Sequence, residues 1–170
     1  MWKQESGRVS IGTRQDIVTS MSDELHPNCV VCSLANSRGL QLDFVSGDDG
    51  SIAATFSCDE TLEGYQGIMH GGMISSVLDG AMTHCMFAHG KTAVTAEMST
   101  RFRHPVLIRQ VATVSALIER SSHPLYLLKA KIVQAGQIKA TAIGKFLDQP
   151  QLLIQRQRSY ERVCLHNDTC

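Results

Sequence analysis

Asp79 is the residue that most needs a chemical explanation. It sits about two turns inside a segment of helical spacing, too deep to be a cap, and aspartate is a poor interior helix residue because its carboxylate competes for backbone hydrogen bonds. Ser75 and Thr83 lie at i−4 and i+4, and Ser76 and Gly80 are close by, so the helix presents a small polar face without Lys, Glu or Arg. A solvated face would carry long charged side chains. This one is expected to lie against something small, such as a ligand or a second subunit. A carboxylate held there has the chemistry of a general base or a nucleophile. The plainer alternative is an Asp held by Ser and Thr at a structural interface.

The segment Gly64-Tyr65-Gln66-Gly67-Ile68-Met69-His70-Gly71-Gly72 leads into that helix. Glycines let the backbone bend sharply and let a ligand approach main-chain atoms. The first N–H groups of a helix lack internal partners and point outward with partial positive charge, which suits an anion or a developing oxyanion. A tight turn with no ligand would look the same. His70 could be a base, a positioning group or a backbone brace, and a lone His beside a glycine turn is more often the brace. Thr95, Glu97 and Ser99 are expected to share one strand face that either borders a site or meets solvent. Arg101, Arg103, His104 and Arg109 form a local basic cluster that could hold phosphates or line a solvated edge.

Cys29 and Cys32 form a C-x-x-C pair with His26 three residues earlier. A closed zinc site needs four ligands and usually a second such pair, which the chain lacks. The expectation is therefore structural thiols, no tightly bound metal and no cofactor. The six cysteines, at 29, 32, 58, 85, 164 and 170, are expected to be reduced, as in a cytoplasm.

The elements that must position these residues are legible from periodicity. Ile11, Ile17, Val18 and Met21 suit a short helix, and residues 26–39 read as a loop. Leu40, Leu42 and Phe44 alternate as a strand, Gly47-Asp48-Asp49-Gly50 is a hairpin turn, and Ile52, Ala54 and Phe56 return. Ile74, Leu78, Ala81, Met82 and Cys85 then mark the long helix, with Gly90 at its C-terminal cap and His89 at the negative end of its dipole. Four strand patterns follow. Their expected inner faces are Val94/Ala96/Met98/Thr100/Phe102, Ala112/Val114/Ala116/Ile118, Tyr126/Leu128/Ala130/Ile132 and Ile138/Ala140/Ala142/Gly144/Phe146, the last three strands forming an antiparallel meander. One helix cannot cover both faces of about six strands. The expected fold is α+β, with a curved antiparallel sheet wrapped around one long central helix. The divisions are residues 1–39 as an N-terminal extension with the C-x-x-C loop, 40–147 as the domain, and 148–170 as a tail with a short helix through Leu152, Leu153 and Ile154.

The bulk properties exclude several classes. The chain has 170 residues, 43% hydrophobic and 19% charged, with 16 basic and 16 acidic residues. That is one globular domain without the basic footprint of a nucleic-acid binder. No apolar run reaches the length of a membrane span, and no basic stretch followed by an apolar core marks an export signal, so a cytoplasmic location is expected.

Gly67-x-x-His70-Gly71-Gly72, Asp79 nine residues after the histidine, Val94-Thr95-Ala96-Glu97 and Arg101-Phe102-x-x-Pro105 together resemble the PaaI-like acyl-CoA thioesterases of the hotdog superfamily, over roughly residues 40–147. The resemblance implies an acyl-CoA hydrolase assembled as a homodimer or homotetramer, with sites at the subunit interface. It implies that Asp79 acts on a thioester carbonyl held at the partner's helix N-terminus. Gly71 N–H would be the oxyanion donor, His70 would stand beside it, and Thr95 would orient water. Gly72, Gln66, Glu97, Arg101 and Arg103 are the expected substrate contacts. Several members place an Asn six residues before the histidine, where this chain has Gly64, with Gln66 close by. The competing readings on this fold are a non-catalytic acyl-CoA binder and an enoyl-CoA hydratase or dehydratase that pairs His70 with Asp79.

Overall fold

The computed structural model describes residues 12–152. Six strands form one antiparallel sheet in the order β1-β2-β4-β5-β6-β3: β1 (Val45–Ser46), β2 (Ile52–Cys58), β3 (Ala93–Phe102), β4 (Gln110–Ser122), β5 (Leu125–Gln134) and β6 (Gln137–Asp148). Helix α2 (Gly71–Ala88) lies on the sheet, in contact with β2 through β6, and α1 (Arg14–Leu25) packs on its other side. Among the described residues, no helix is long and apolar enough to cross a membrane.

Helix α2 forms and stops where its sequence dictates. His70 is the N-cap, its Nδ1 accepting the Gly72 N–H at 2.9 Å. At the other end Gly90 takes φ +64° and donates to the Phe87 carbonyl, while Lys91 N–H reaches Met86. These bonds satisfy carbonyls the helix would otherwise leave open. Val77, Leu78, Ala81, Met82, Cys85 and Met86 are fully buried. They meet Val114, Leu128, Ala130, Ala140 and Phe146 in one core. The alanines let the sheet approach the helix closely, and Gly144 faces the Met82 sulfur for the same reason.

Four expectations change. No strand forms over Leu40–Phe44, and β1 begins only at Val45. Leu42 and Phe44 are buried as the alternation requires, but Leu40 and Leu42 donate their N–H groups to Val30 and Val31 carbonyls of the preceding loop, so the ladder starts later. In β3, the register slips between Thr95 and Glu97, which leaves Ala96 as an extra, exposed residue. A bulge of this kind reverses which side chains face inward. Thr95 pairs opposite buried Phe146 and Met98 opposite buried Gly144, whereas Glu97 pairs opposite exposed Lys145. Thr95 therefore faces the helix while Glu97 and Ser99 face away, and the three do not share a face. A second slip, between Ile132 and Val133, turns Ile138 outward, where it is 42% exposed. The expected helix through Leu152, Leu153 and Ile154 lies mostly outside the described residues.

The fourth change concerns the small face of α2. Val31, in the loop after α1, packs onto Gly80 so tightly that a Cβ there would lie 2.6 Å from Val31 Cγ1. Part of the face that looked reserved for a second subunit is thus covered by the chain's own N-terminal segment. Val18, Val31 and Cys32 join the main core from that segment.

Candidate active site

Asp79 lies half-buried on α2, and its partner comes from β3: Thr95 Oγ1 donates to Asp79 Oδ1 at 2.5 Å. The Ala96 bulge makes this possible, because it lets Thr95 face the helix together with Met98 and Thr100. Neither Ser75 nor Thr83 bonds the carboxylate among the described residues, and Ser76 Oγ turns back to the Gly72 carbonyl at 2.9 Å. The arrangement with Asp79 held by its own helix neighbours is not the one adopted. One carboxylate oxygen is fixed by a hydroxyl donor from another element, and Oδ2 has no protein donor among the described residues.

At the N-terminal end of α2, His70 Nδ1 accepts from Gly72 N–H, so in this state that nitrogen carries no proton. His70 braces the helix start. Gly64 packs beneath it, with room so short that a Cβ would lie 3.1 Å from the His70 ring. The ring thus stands over the position where several resembling proteins carry Asn. The N–H of Gly71 has no partner among the described residues and belongs to the open donors of the helix end. Gly71 lies against Phe102 of β3.

The remaining expected contacts scatter. Gln66 lies in the turn before the helix, beside Gly67, which takes φ +77° and whose N–H is accepted by Glu63. Glu97 forms an exposed ion pair with Lys145 at 2.7 Å, on the outer face. Arg101 is on that outer face as well, opposite Thr141, and Arg103 leaves the strand by donating its N–H to the Lys139 carbonyl. Arg109 is engaged by Glu60. The basic residues therefore do not converge on Asp79 in one chain, and β3, one of the two edge strands of the sheet, is exposed along most of its length.

Sequence reasoning missed His84, which anchors a second cluster behind α2 together with His26, already singled out beside Cys29 and Cys32. His84 is 2% exposed, stacks on Phe44 at 4.2 Å and meets Phe87 edge-on. Its Nδ1 lies 2.8 Å from the Gly80 carbonyl and its Nε2 3.3 Å from Ser22 Oγ. Burial pushes its pKa down to about 4, so it is neutral at pH 7. Nδ1 then carries the proton for Gly80, and Ser22 donates to Nε2. His26 packs against His84 and Phe87, and burial lowers its pKa, an effect the Asp79 charge partly offsets. The His26, Cys29 and Cys32 ligand atoms all lie within 4.8 Å of one another. The cysteine pair and His26, neighbours in the sequence, converge in space as well. The available signal was the spacing of His26 from Cys29, which reads as a ligand only once the α1 C-cap turns the ring back.

Residues 66–139 match the family model described as the thioesterase superfamily. No curated protein matches the chain. Among solved structures, the PaaI protein of the E. coli phenylacetic acid degradation operon superposes with a TM-score of 0.68 at 19% identity, covering 81% of this chain and 96% of that one. A hypothetical thioesterase from Streptococcus pneumoniae TIGR4, solved with coenzyme A, gives 0.61 at 16% identity, covering 64% and 85%. Structures of that protein are also known in which an Asp and a Thr sixteen residues apart are each replaced by Ala, the separation of Asp79 and Thr95 here. A thioesterase superfamily protein gives 0.64 at 24% identity, covering 66% of this chain and only 56% of that one. The chain thus matches the thioesterase superfamily over residues 66–139 and shares the hotdog fold of PaaI.

Proposed function

We propose that the protein hydrolyses acyl-CoA thioesters, with Asp79 as the reacting carboxylate and the α2 N-terminus of a second copy as the oxyanion site. The observation that carries this reading is the Thr95–Asp79 hydrogen bond across the β3 bulge. It fixes one carboxylate oxygen and leaves the other free to take a proton from water or to attack a carbonyl carbon. The coenzyme A bound by the Streptococcus pneumoniae thioesterase supports the substrate class.

A thioester is already activated, so its hydrolysis needs little acid catalysis at the departing thiolate. It needs an activated water and stabilisation of the carbonyl oxygen. Asp79 takes a proton from water, the hydroxide adds to the carbonyl carbon, and negative charge builds on oxygen opposite Gly71 N–H. The C–S bond then breaks, and the thiolate leaves and is protonated. Direct attack by Asp79, giving a mixed anhydride that water opens, uses the same groups.

Within one chain, Asp79 and Gly71 are eight residues apart along α2, about 12 Å at 1.5 Å per residue. One carbonyl cannot touch both. The exposed β3 edge offers the surface on which a second copy would bring its helix N-terminus to this Asp79, so the working unit is a homodimer or a larger assembly. The same separation counts against a hydratase that pairs His70 with Asp79 in one chain, as does the use of His70 Nδ1 as a cap. Gly72, Gln66, Arg101 and Arg103 are left to the acyl-CoA contacts around that interface.

The test is a panel of acyl-CoA esters of increasing length, including aryl-acyl esters, followed by free-thiol release, with enoyl-CoA hydration measured alongside. Thiol release with at least one ester and no hydration is expected. Hydration without thiol release would replace this reading with the hydratase. Tight binding without either reaction would replace it with the non-catalytic binder.

A further inference from the structure

The cluster at the end of α1 is built like a metal site. We propose that His26 Nδ1, Cys29 Sγ and Cys32 Sγ bind a thiophilic divalent cation of the zinc class, with a fourth position open to the cleft between α1 and the following loop. Cys32 Sγ and His26 Nδ1 are 3.5 Å apart, and the edge of a tetrahedral site with zinc–sulfur and zinc–nitrogen lengths of about 2.3 and 2.1 Å is about 3.6 Å. Cys29 Sγ completes the triangle, all three atoms lying within 4.8 Å of one another.

Three further features hold the triangle ready. Val31 N–H points at Cys29 Sγ at 3.4 Å, the main-chain donor a thiolate ligand needs. Cys29 N–H bonds the His26 carbonyl, and Ser33 N–H bonds the Cys29 carbonyl, which fixes the turn that carries both sulfurs. The His26 ring is oriented by edge contacts with His84 and Phe87, leaving Nδ1 toward Cys32. Supporting partners of this kind orient ligands and raise affinity.

The donor set selects the ion. Two thiolates and an imidazole suit zinc and disfavour magnesium or calcium, which prefer oxygen ligands. Three protein ligands leave one position for water or another small ligand. His26 and Cys32 both line a cleft of about 590 Å³ that also includes Ser22, Asp23 and Asp43, and a fourth ligand would arrive through it. The metal would tie the C-terminus of α1 to the loop whose Val31 covers Gly80, the neighbour of Asp79. It would thereby clamp the N-terminal segment onto the back of the site helix.

Cobalt(II) titration of the full chain under reductant tests this directly. The expected result is one cobalt per chain, a thiolate-to-metal charge-transfer band with tetrahedral d–d absorption, and displacement by zinc. Cys29→Ser/Cys32→Ser should abolish the bands. His26→Ala should weaken zinc binding by more than roughly 100-fold, because losing even an outer partner costs about 10–100-fold. Cys164→Ser/Cys170→Ser should change neither. No charge-transfer band with the wild-type chain would overturn the site, and that measurement stands even if the variants fold poorly. Bands that survive Cys29→Ser/Cys32→Ser but vanish in Cys164→Ser/Cys170→Ser would overturn it as well.

Discussion

Gly80 and Val31 give a quantitative test of how the N-terminal segment sits on the site helix. Val31 is 6% exposed, and its Cγ1 would stand 2.6 Å from a Cβ at position 80. Val31→Ala removes two methyl-sized groups, worth about 1.6 kcal/mol at about 0.8 each, and a residual cavity brings the loss to about 2 kcal/mol. Gly80→Ala gains about 1 kcal/mol of helix propensity but pays about 1–3 kcal/mol for overpacking, because the β-branched Val31 has little rotamer freedom to yield. Its net effect should be a loss of about 1 kcal/mol. In the double variant the new methyl occupies the space that Val31 vacates. The overpacking and most of the cavity disappear, so the total loss should be about 1 kcal/mol rather than the additive 3. The coupling of about 2 kcal/mol is read from urea unfolding of the four proteins with unchanged m-values. Additivity within about 0.5 kcal/mol would refute the packing, and with it the claim that this segment, rather than a second subunit, covers Gly80.

Three other outcomes follow from the geometry. His84 is neutral when folded and ionises only near pH 4, against 6.5 in the unfolded chain, so its contribution is intact above pH 6.5 and is lost as the pH falls toward 4. Thermal melting across that window should fall by the equivalent of about 3 kcal/mol in the wild type and fall less in His84→Phe; equal slopes would contradict the assignment. Thr95→Ala should lower acyl-CoA turnover roughly 10-fold, with Thr95→Ser restoring most of it because the hydroxyl donor returns; failure of Ser to rescue would mean that the β-branch, not the hydrogen bond, matters. Light scattering should find a dimer or larger assembly at micromolar concentration, and an active monomer would contradict a site shared between chains.

The parts of the fold that were legible are those in which a period repeats with few interruptions. Ile52/Ala54/Phe56 and Tyr126/Leu128/Ala130/Ile132 alternate without a break and are buried as read. The α2 stripe and its Gly90 cap are equally plain. The bulge at Ala96 was not legible, since Val94, Thr95 and Ala96 are tolerated on either face and only the pairing with Phe146 and Lys145 decides between them. That single extra residue determines the candidate site, because it aims Thr95 at Asp79 and sends Glu97 outward. The Val31 cover on Gly80 and the approach of His26 to Cys32 were hidden for a different reason. Both depend on how α1 and its loop fold back over α2, a contact between distant segments that no local period encodes. The spacing of Asp79 from His70 was visible; the partner that holds its carboxylate was not.

The central claim is that the Asp79 charge carries out the chemistry rather than holding the helix in place. Asp79→Asn keeps the shape and leaves a carbonyl oxygen to accept from Thr95, but it removes the base or nucleophile. Measured on one preparation, acyl-CoA hydrolysis should fall by about 10²-fold or more, while the melting temperature and the oligomeric state stay at their wild-type values. Turnover close to that of the wild type in this variant, or loss of folding and assembly with the residual folded protein still active, would contradict the account.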